Sequence, residues 1–125
     1  MSYQGYVDEQ LMASGFKAGY ILDHNGYLVA SSNDNQIPRA EGAALVQFFQ
    51  DPESASSNGV TWQGVNYQVT TANPRSIYGE NGSDGIVCVR TSGSIIIGVY
   101  DQRLKPGNAQ TVVEKLGDQF EDLAI

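Results

Sequence analysis

The stretch Ile86-Val87-Cys88-Val89-Arg90-Thr91-Ser92-Gly93-Ser94-Ile95-Ile96-Ile97-Gly98-Val99-Tyr100 decides the fold. Two apolar runs, residues 86–90 and 94–100, flank a turn-forming tripeptide, and this pattern predicts two strands joined by a tight connection. The second run is apolar without alternation, which is typical of a strand buried on both faces. We therefore expect a central sheet with helices packed on both of its sides.

Further strands are predicted to extend this sheet through hairpins. Asn25-Gly26 lies between the apolar segments 18–22 and 27–30. Asn-Gly in that setting predicts a hairpin, because both residues tolerate positive φ. The remaining strands are predicted at residues 60–62, 65–70 and 76–78, followed by a turn at residues 80–85.

Three helices are predicted around these strands. The first spans Tyr3 to Met12, with Ser2 as its N-cap and Ser14-Gly15 as its stop. The second runs from residue 37 to about residue 50, and the polar residues 51–58 are expected to form a loop. The third begins near Pro106, and its apolar stripe consists of Val112, Val113, Leu116, Phe120 and Leu123. This order of elements predicts an α+β fold, in which a central antiparallel sheet carries the two terminal helices side by side on one face.

Length and charge limit the kind of protein this is. A chain of 125 residues fits a single domain spanning residues 1–125. Seven basic against fourteen acidic side chains give a net charge of −7, which argues against nucleic acid and anionic membranes as partners. No apolar stretch approaches the ~20 residues of a membrane-spanning helix. A single cysteine cannot form an internal disulfide, so a cytoplasmic location is expected.

The sequence lacks the residue combinations of an enzyme. His24, the only histidine, lies at the predicted hairpin turn and is expected to be exposed to solvent. Cys88 lies within a strand and is expected to pack as a small apolar residue. The glycine-rich segment 79–85 carries two acids and no lysine, and it does not lead into a helix, so it predicts a turn rather than a phosphate loop. We therefore expect a binding module without catalytic activity, metal or cofactor.

Three collinear blocks of sequence carry a resemblance that covers essentially the whole chain. The first is Ser2-Tyr3-Gln4-Gly5-Tyr6-Val7-Asp8. The second joins Arg75-Ser76-Ile77-Tyr78-Gly79 to Gly85-Ile86-Val87-Cys88-Val89-Arg90-Thr91, and the third runs from Gly98-Val99-Tyr100-Asp101 to Lys105-Pro106-Gly107. These blocks resemble the profilin family, closest in pattern to its protist and plant members. The resemblance implies a central antiparallel sheet with the terminal helices on one face and smaller helices on the other.

The resemblance also implies a binding surface for monomeric actin, and with it the sequestration and delivery of monomers. Basic side chains on this surface are expected to orient an acidic partner, and a glycine at the start of the last helix is expected to let its backbone come close. Glu80 and Asn81 depart from family members that carry lysines after Ile-Tyr-Gly. The implied actin-binding residues are Arg75, Arg90, Lys105, Gly107, Gln110, Thr111 and Lys115.

A second implied surface binds proline-rich, formin-like proteins through aromatic rings between the terminal helices. Here Tyr3 and Val29 stand where the family typically has tryptophan, so reduced affinity is expected. An open alternative is that Tyr3 and Tyr6 only hold the first helix in place, and the spacing of Phe120 from Leu116 suggests that Phe120 faces the core. The implied residues are Tyr3, Tyr6, Val29, Gln119, Phe120, Leu123 and Ile125.

Two further expectations concern partners. Few basic residues and an acidic last helix predict weak or no phosphoinositide binding, and we expect a monomer. The alternative function is that of a small α+β sensor or trafficking scaffold of similar build without actin binding. A polymerisation assay with actin distinguishes the two.

Overall fold

The computed structural model describes residues 2–125. Seven strands are present: β1 Ala18–Leu22, β2 Leu28–Ser31, β3 Val60–Trp62, β4 Val65–Ala72, β5 Ser76–Asn81, β6 Asp84–Arg90 and β7 Ile95–Tyr100. They form one sheet in the order β2-β1-β7-β6-β5-β4-β3, and every neighbouring pair is antiparallel. The two strands of the deciding stretch, β6 and β7, are hydrogen-bonded neighbours, as predicted.

Helices cover both faces of the sheet. Helix α1, Tyr3–Tyr6, continues as a π-helical turn over Val7–Leu11 and a 3-10 turn over Met12–Ser14; residues 3–14 are called the N-terminal helix below. The other helices are a 3-10 turn at Ser32–Asp34, α2 Arg39–Gln50, α3 Pro52–Asn58 and α4 Pro106–Asp122.

Strand β7 divides the core into two layers, because its side chains alternate between the faces of the sheet. Ile96 and Tyr100 pack with the N-terminal helix and α4, whereas Ile95, Ile97 and Val99 pack on the opposite face with α2 and α3. All six residues of β7 are buried. The predicted arrangement, with the terminal helices together on one face, is confirmed.

The predicted ends of the N-terminal helix are confirmed. Ser2 Oγ accepts a hydrogen bond from the backbone N–H of Gly5 at 3.0 Å, which satisfies one of the free donors at the helix start. Gly15 follows the last turn with a φ of 103°, a conformation in which glycine carries no steric penalty.

The hairpin of β1 and β2 forms, but only one residue of Asn25-Gly26 has positive φ. Gly26 has a φ of 84° and donates to the carbonyl of Asp23 at 3.1 Å, while Asp23 donates to Tyr27 at 2.9 Å. These bonds describe a longer loop than the two-residue turn that Asn-Gly favours. Along the strands, Ile21 pairs with Ala30 and Leu22 with Leu28. Val29 is therefore the extra residue of a β-bulge.

Three local predictions were wrong. Residues 51–58 contain the helix α3, which starts at Pro52 and buries Ala55 against the core despite its polar composition. Leu123, predicted to belong to the buried apolar stripe of α4, is 56% exposed. The helix ends at Asp122, and the chain changes direction at Ala124, whose φ is 56°. His24 is half-buried, and its Nε2–H donates to the carbonyl of Thr91 at 2.8 Å.

Candidate functional site

A network of polar side chains joins β5 to α4. Glu114 lies at its centre and accepts hydrogen bonds from Ser76 Oγ at 2.6 Å, from the hydroxyl of Tyr78 and from Arg75 Nε at 3.1 Å. Arg75 Nη2 also binds Asp118 Oδ1 at 3.0 Å. Glu114 and Asp118 are four residues apart and therefore lie on the same side of α4.

This network changes the acidity of its members. Burial alone would raise the pKa of Glu114, but the hydrogen bonds from Ser76, Tyr78 and Arg75 outweigh it and lower that pKa. Burial, together with the hydrogen bond to Glu114, raises the pKa of Tyr78 to about 12. At neutral pH the network therefore holds an ionised carboxylate and a neutral phenol.

The sequence prediction missed this network, although its members were visible. Arg75 was assigned to a surface that meets an acidic partner, yet two carboxylates of the chain itself neutralise its charge. The spacing of Glu114 and Asp118 is a signal for a shared partner, but only the fold shows that this partner is Arg75. The guanidinium therefore holds α4 against the start of β5.

The other three bases assigned to the actin-binding surface are exposed. Within residues 2–125, Arg90, Lys105 and Lys115 form no ion pair. The backbone N–H of Arg90 donates to the carbonyl of Arg75 at 2.8 Å, so these two positions are adjacent. Lys105 immediately precedes α4, about 20 Å from Asp118 along the helix axis at the usual rise per residue. Because Asp118 binds Arg75, Lys105 lies far from the Arg75–Arg90 pair, and the bases do not form one compact cluster.

The start of α4 presents an open row of residues. Gly107, Thr111 and Lys115 follow one another at intervals of four, which places them on one line of the helix surface. Beyond the neighbouring residues and its own helix backbone, a Cβ atom added at Gly107 would meet no atom of residues 2–125 within 4 Å. Thr111 Oγ1 donates to the carbonyl of Gly107 at 2.9 Å, and Gln110 is half-buried beside this row.

The aromatic residues between the terminal helices are mostly buried. The rings of Tyr6 and Phe120 pack edge to face with centroids 4.8 Å apart, and Tyr3 approaches Phe120 at 6.1 Å. Phe120 is completely buried and Tyr6 is 6% exposed, whereas Tyr3 is half-buried. The structure thus places Phe120 in the core, as its helical spacing suggested, and leaves Tyr3 as the more accessible ring.

The remaining residues assigned to the proline-binding surface have varied exposure. Val29, on the bulge of β2, is 46% exposed, and Leu123 is exposed beyond the end of α4. Ile125 packs against the core layer beneath the terminal helices, and its carbonyl accepts hydrogen bonds from Thr91 and Ser94. Gln119 is exposed, and its Oε1 accepts a hydrogen bond from Gln10 at 3.4 Å.

Tyr27, an exposed ring in the loop before β2, has a partner within the chain. It is 55% exposed, and the guanidinium of Arg39 lies 3.9 Å from its ring centroid. Arg39 Nη2 also donates to the carbonyl of Asn25 at 2.8 Å. This cation–π contact joins the hairpin to α2.

Metal ligands, membrane-spanning helices and the single cysteine were also considered as signs of other functions. Among residues 2–125 no group of three or more histidine, cysteine or acidic side chains is arranged to hold a metal ion. Within the same residues no helix is long and apolar enough to cross a membrane. Cys88 is completely buried between the strands, and burial raises the pKa of its thiol.

Comparison with known proteins identifies the fold. A family model described as Profilin matches residues 1–124. Profilin-1 of Dictyostelium discoideum is 42% identical over 123 residues, which are 98% of each chain. The crystal structure of Acanthamoeba castellanii profilin II has a TM-score of 0.95 at 38% identity and covers 99% of this chain and all of that one. Mouse profilin IIa, in complex with a double repeat from the FH1 domain of mDia1, shares the fold alone, with a TM-score of 0.78 at 13% identity.

The antiparallel sheet, with the terminal helices together on one face, defines a small α+β domain. Sequence identity across almost the whole chain then gives the family, and the chain belongs to the profilins. Profilins are actin-binding regulators of polymerisation and not enzymes. The predictions of family, fold and absence of catalytic activity are therefore confirmed, and the family found is not one of sensors or trafficking scaffolds.

Proposed function

We propose that this profilin binds monomeric actin through the exposed side of the later strands and α4, and that it sequesters and delivers monomers. The observation that carries the proposal is the match to profilins over the whole chain, combined with bases left free of ion pairs within residues 2–125. The proposed contact residues are Arg75, Arg90, Lys105, Gly107, Gln110, Thr111 and Lys115.

Electrostatics gives these bases different roles. Arg90 and Lys115 are exposed cations on a chain of net charge −7, so they would orient an acidic partner and accelerate association more than they would add affinity. Arg75 is bound by Glu114 and Asp118, so its side chain would hold α4 in place beside β5 on this surface. Association with actin should therefore slow as salt concentration rises.

The test reverses two charges on the proposed surface. Arg90→Glu together with Lys115→Glu is expected to abolish inhibition of spontaneous polymerisation in a pyrene-actin assay, because both cations would then repel an acidic partner. The matched control is Lys17→Glu with Arg39→Glu, which makes the same change in net charge away from this surface. Thermal unfolding establishes that both variants fold. Undiminished inhibition by the first variant would overturn the proposed surface.

We also propose that a proline-rich segment binds between the terminal helices with reduced affinity. Such segments dock as preformed helices onto aromatic rings, and here Phe120 is buried, Tyr6 is nearly so, and Val29 replaces a ring. The complex of mouse profilin IIa with an FH1 repeat gives the kind of partner, a formin-like proline-rich chain. The remaining contact surface comes from Tyr3, Tyr6, Val29, Gln119, Leu123 and Ile125.

Restoring rings tests this explanation more directly than removing them. Tyr3→Trp with Val29→Trp is expected to strengthen binding of a long polyproline peptide about twofold to tenfold, since the ring added at position 29 contributes on the order of 0.5–1.5 kcal/mol. Val29 is exposed enough to accept a larger side chain. Tyr3→Trp with Val65→Trp is the matched control, because Val65 is also exposed but lies on β4. Calorimetry is the measurement, and equal affinity of both variants would contradict the proposal.

A further part of the proposal concerns location and lipids. We expect the protein in the cytoplasm, associated with the actin cytoskeleton, as for other profilins. Weak phosphoinositide binding is expected because Arg75 and Arg103 are held in ion pairs, which leaves few free cations.

A further inference from the structure

The chain contains the dipeptide Asn-Gly three times, at residues 25–26, 58–59 and 81–82. In this dipeptide the backbone nitrogen of the glycine can attack the side-chain carbonyl carbon of the asparagine, because glycine has no side chain to shield that nitrogen or to restrict the backbone. The attack requires a glycine N–H that is not held in a hydrogen bond, and it requires room for the chain to bend. The three sites differ in both respects.

Asn81 and Gly82 lie at the turn between β5 and β6. Asn81 pairs with Asp84, so Gly82 and Ser83 form a two-residue connection, and Gly82 has a φ of 61°. Glycine with positive φ at the first position of such a connection is typical of a type II′ turn, whose hydrogen bond does not use the N–H of that residue. Asn81, Gly82 and Ser83 are all exposed to solvent.

The backbone nitrogen of Gly82 is free and has open space around it. Its N–H donates no hydrogen bond within residues 2–125. A Cβ atom added at Gly82 would meet no atom beyond its chain neighbours within 4 Å. The side chain of Asn81 has one restraint, because its Nδ2 donates to the carbonyl of Asn66 at 3.0 Å. That bond is exposed and competes with water, so it restrains the side chain only weakly.

Asn58 and Gly59, at the end of α3, are held by hydrogen bonds. The N–H of Gly59 donates to the carbonyl of Ala55 at 2.8 Å and closes the last turn of the helix. Asn58 Nδ2 donates to the carbonyl of Ser54 at 2.8 Å and to its hydroxyl at 3.2 Å. A Cβ atom on Gly59 would lie 2.8 Å from the carbonyl oxygen of Tyr67, so the backbone of β4 crowds this site.

Asn25 and Gly26, in the first hairpin, are fixed against α2. Gly26 is buried, and its N–H donates to the carbonyl of Asp23 at 3.1 Å. A Cβ atom on Gly26 would lie 2.6 Å from the carbonyl oxygen of Gly42. The carbonyl of Asn25 accepts a hydrogen bond from Arg39 at 2.8 Å. The glycine nitrogen is therefore occupied here, and the backbone has no room to bend.

We propose that Asn81 is a site of spontaneous deamidation, and that the fold protects Asn25 and Asn58 from the same reaction. The backbone nitrogen of Gly82 bonds to Cγ of Asn81, the Cγ–Nδ2 bond breaks, and the amide nitrogen leaves as ammonia with the proton of the Gly82 N–H. Water then opens the cyclic imide at either of its carbonyl groups and leaves aspartate or isoaspartate at residue 81.

The reaction changes the surface at this end of the sheet. The new carboxylate takes the net charge from −7 to −8 and stands next to Glu80, which lines the same cavity as Gly82 and Lys105. Isoaspartate also adds a carbon to the main chain of a hairpin whose register, with Asn81 opposite Asp84, depends on the length of its turn. No binding partner takes part, so the test does not depend on the surfaces proposed above.

Mass spectrometry of proteolytic peptides measures the reaction at each site. The folded protein is incubated at neutral pH in water enriched in oxygen-18, which enters each new carboxylate. Asn81 is expected to convert at least about tenfold faster than Asn25 or Asn58, because those two sites must first open a backbone hydrogen bond within a packed contact. Conversion of either of these at the rate of Asn81 would overturn the proposal.

Two controls separate the effect of the fold from that of local sequence. In urea the three sites are expected to convert at similar rates, because each is then the same dipeptide in an unfolded chain. Asn81→Gln should remove the reaction at residue 81, because glutamine must close a larger ring, whereas the matched Asn58→Gln should leave it unchanged. The proposal is refuted if the unfolded chain shows the same preference for Asn81, or if Asn81 converts in urea but stays intact in the folded protein.

Discussion

At the scale of single residues, Glu114 connects the sheet to the last helix. It is half-buried yet ionised, because three donors from β5 and the residue before it surround its carboxylate. Hydrogen bonds to a charged group are stronger than those between neutral groups. A buried donor or acceptor that loses its partner lowers the stability of the fold. The sequence shows a polar position on a helix here, and only the fold shows how many donors converge on it.

Replacing this carboxylate tests the network. Glu114→Gln is expected to lower the free energy of unfolding by about 1–3 kcal/mol at neutral pH, because Arg75 loses one of its two charged partners and the hydroxyls of Ser76 and Tyr78 lose a charged acceptor. Glu9→Gln, on the exposed side of the N-terminal helix, is the matched control and should change little. Urea unfolding followed by circular dichroism gives both values. Equal stability of the two variants would contradict a structural role for Glu114.

The pKa of Glu114 adds a pH dependence. Since the folded pKa is lower than the ordinary value of 4.5, the network stabilises the fold fully above that value. The contribution is lost as pH falls through the folded pKa. The wild-type protein should therefore lose more stability on acidification below about pH 5 than Glu114→Gln does. Parallel slopes of the two unfolding curves against pH would exclude Glu114 as the source.

At the scale of elements, a strong apolar pattern correctly predicted helices and strands, whereas a polar composition hid one helix. Residues 95–100 and the buried positions of α4 follow from apolar pattern alone, since either a strand or a helix must bury its apolar face. Residues 52–58 were not recognised as a helix because one buried alanine, Ala55, is too small a signal. The bulge at Val29 was equally hidden, because it depends on pairing with Ile21 and Leu22 rather than on local sequence.

The contact between the first hairpin and α2 depends on two glycines. A Cβ atom on Gly42 would lie 2.2 Å from the carbonyl oxygen of Gly26, which is backbone and cannot rotate away. Gly42→Ala is therefore expected to lower the free energy of unfolding by about 1–3 kcal/mol, the usual cost of overpacking. Gly107→Ala, where a Cβ meets open space, should be nearly neutral. Denaturant unfolding measures both, and a neutral Gly42→Ala would show that the hairpin can move away from α2.

At the scale of the whole molecule, three of the seven basic side chains are already engaged by other side chains of residues 2–125. Of the seven basic side chains, Arg75 and Arg103 are paired with carboxylates, and Arg39 lies over Tyr27. The net charge could be predicted from sequence, but this pairing could not, because Glu114 and Asp118 are far from Arg75 along the chain. Pairing within the chain decides how many cations a partner meets.

The small number of basic side chains that are not engaged within the chain predicts weak phosphoinositide binding. Each cation near an anionic bilayer contributes about 1 kcal/mol, and only neighbouring cations act together. Glu80 lines the same cavity as Lys105, so an acid accompanies the base at the start of α4. The wild-type protein should sediment weakly with vesicles that contain a phosphatidylinositol bisphosphate at physiological salt, and strong sedimentation would contradict this.

Two lysines next to Lys105 should convert this region into a binding site. Glu80→Lys with Asn81→Lys removes an acid and adds two cations at the end of β5, so binding to the same vesicles is expected to rise about tenfold or more. Glu9→Lys with Gln10→Lys makes the same change in net charge on the N-terminal helix, away from Lys105. If the two variants sediment equally, overall charge decides lipid binding. A larger gain for the first variant shows that added cations act on the vesicle surface only where they neighbour Lys105.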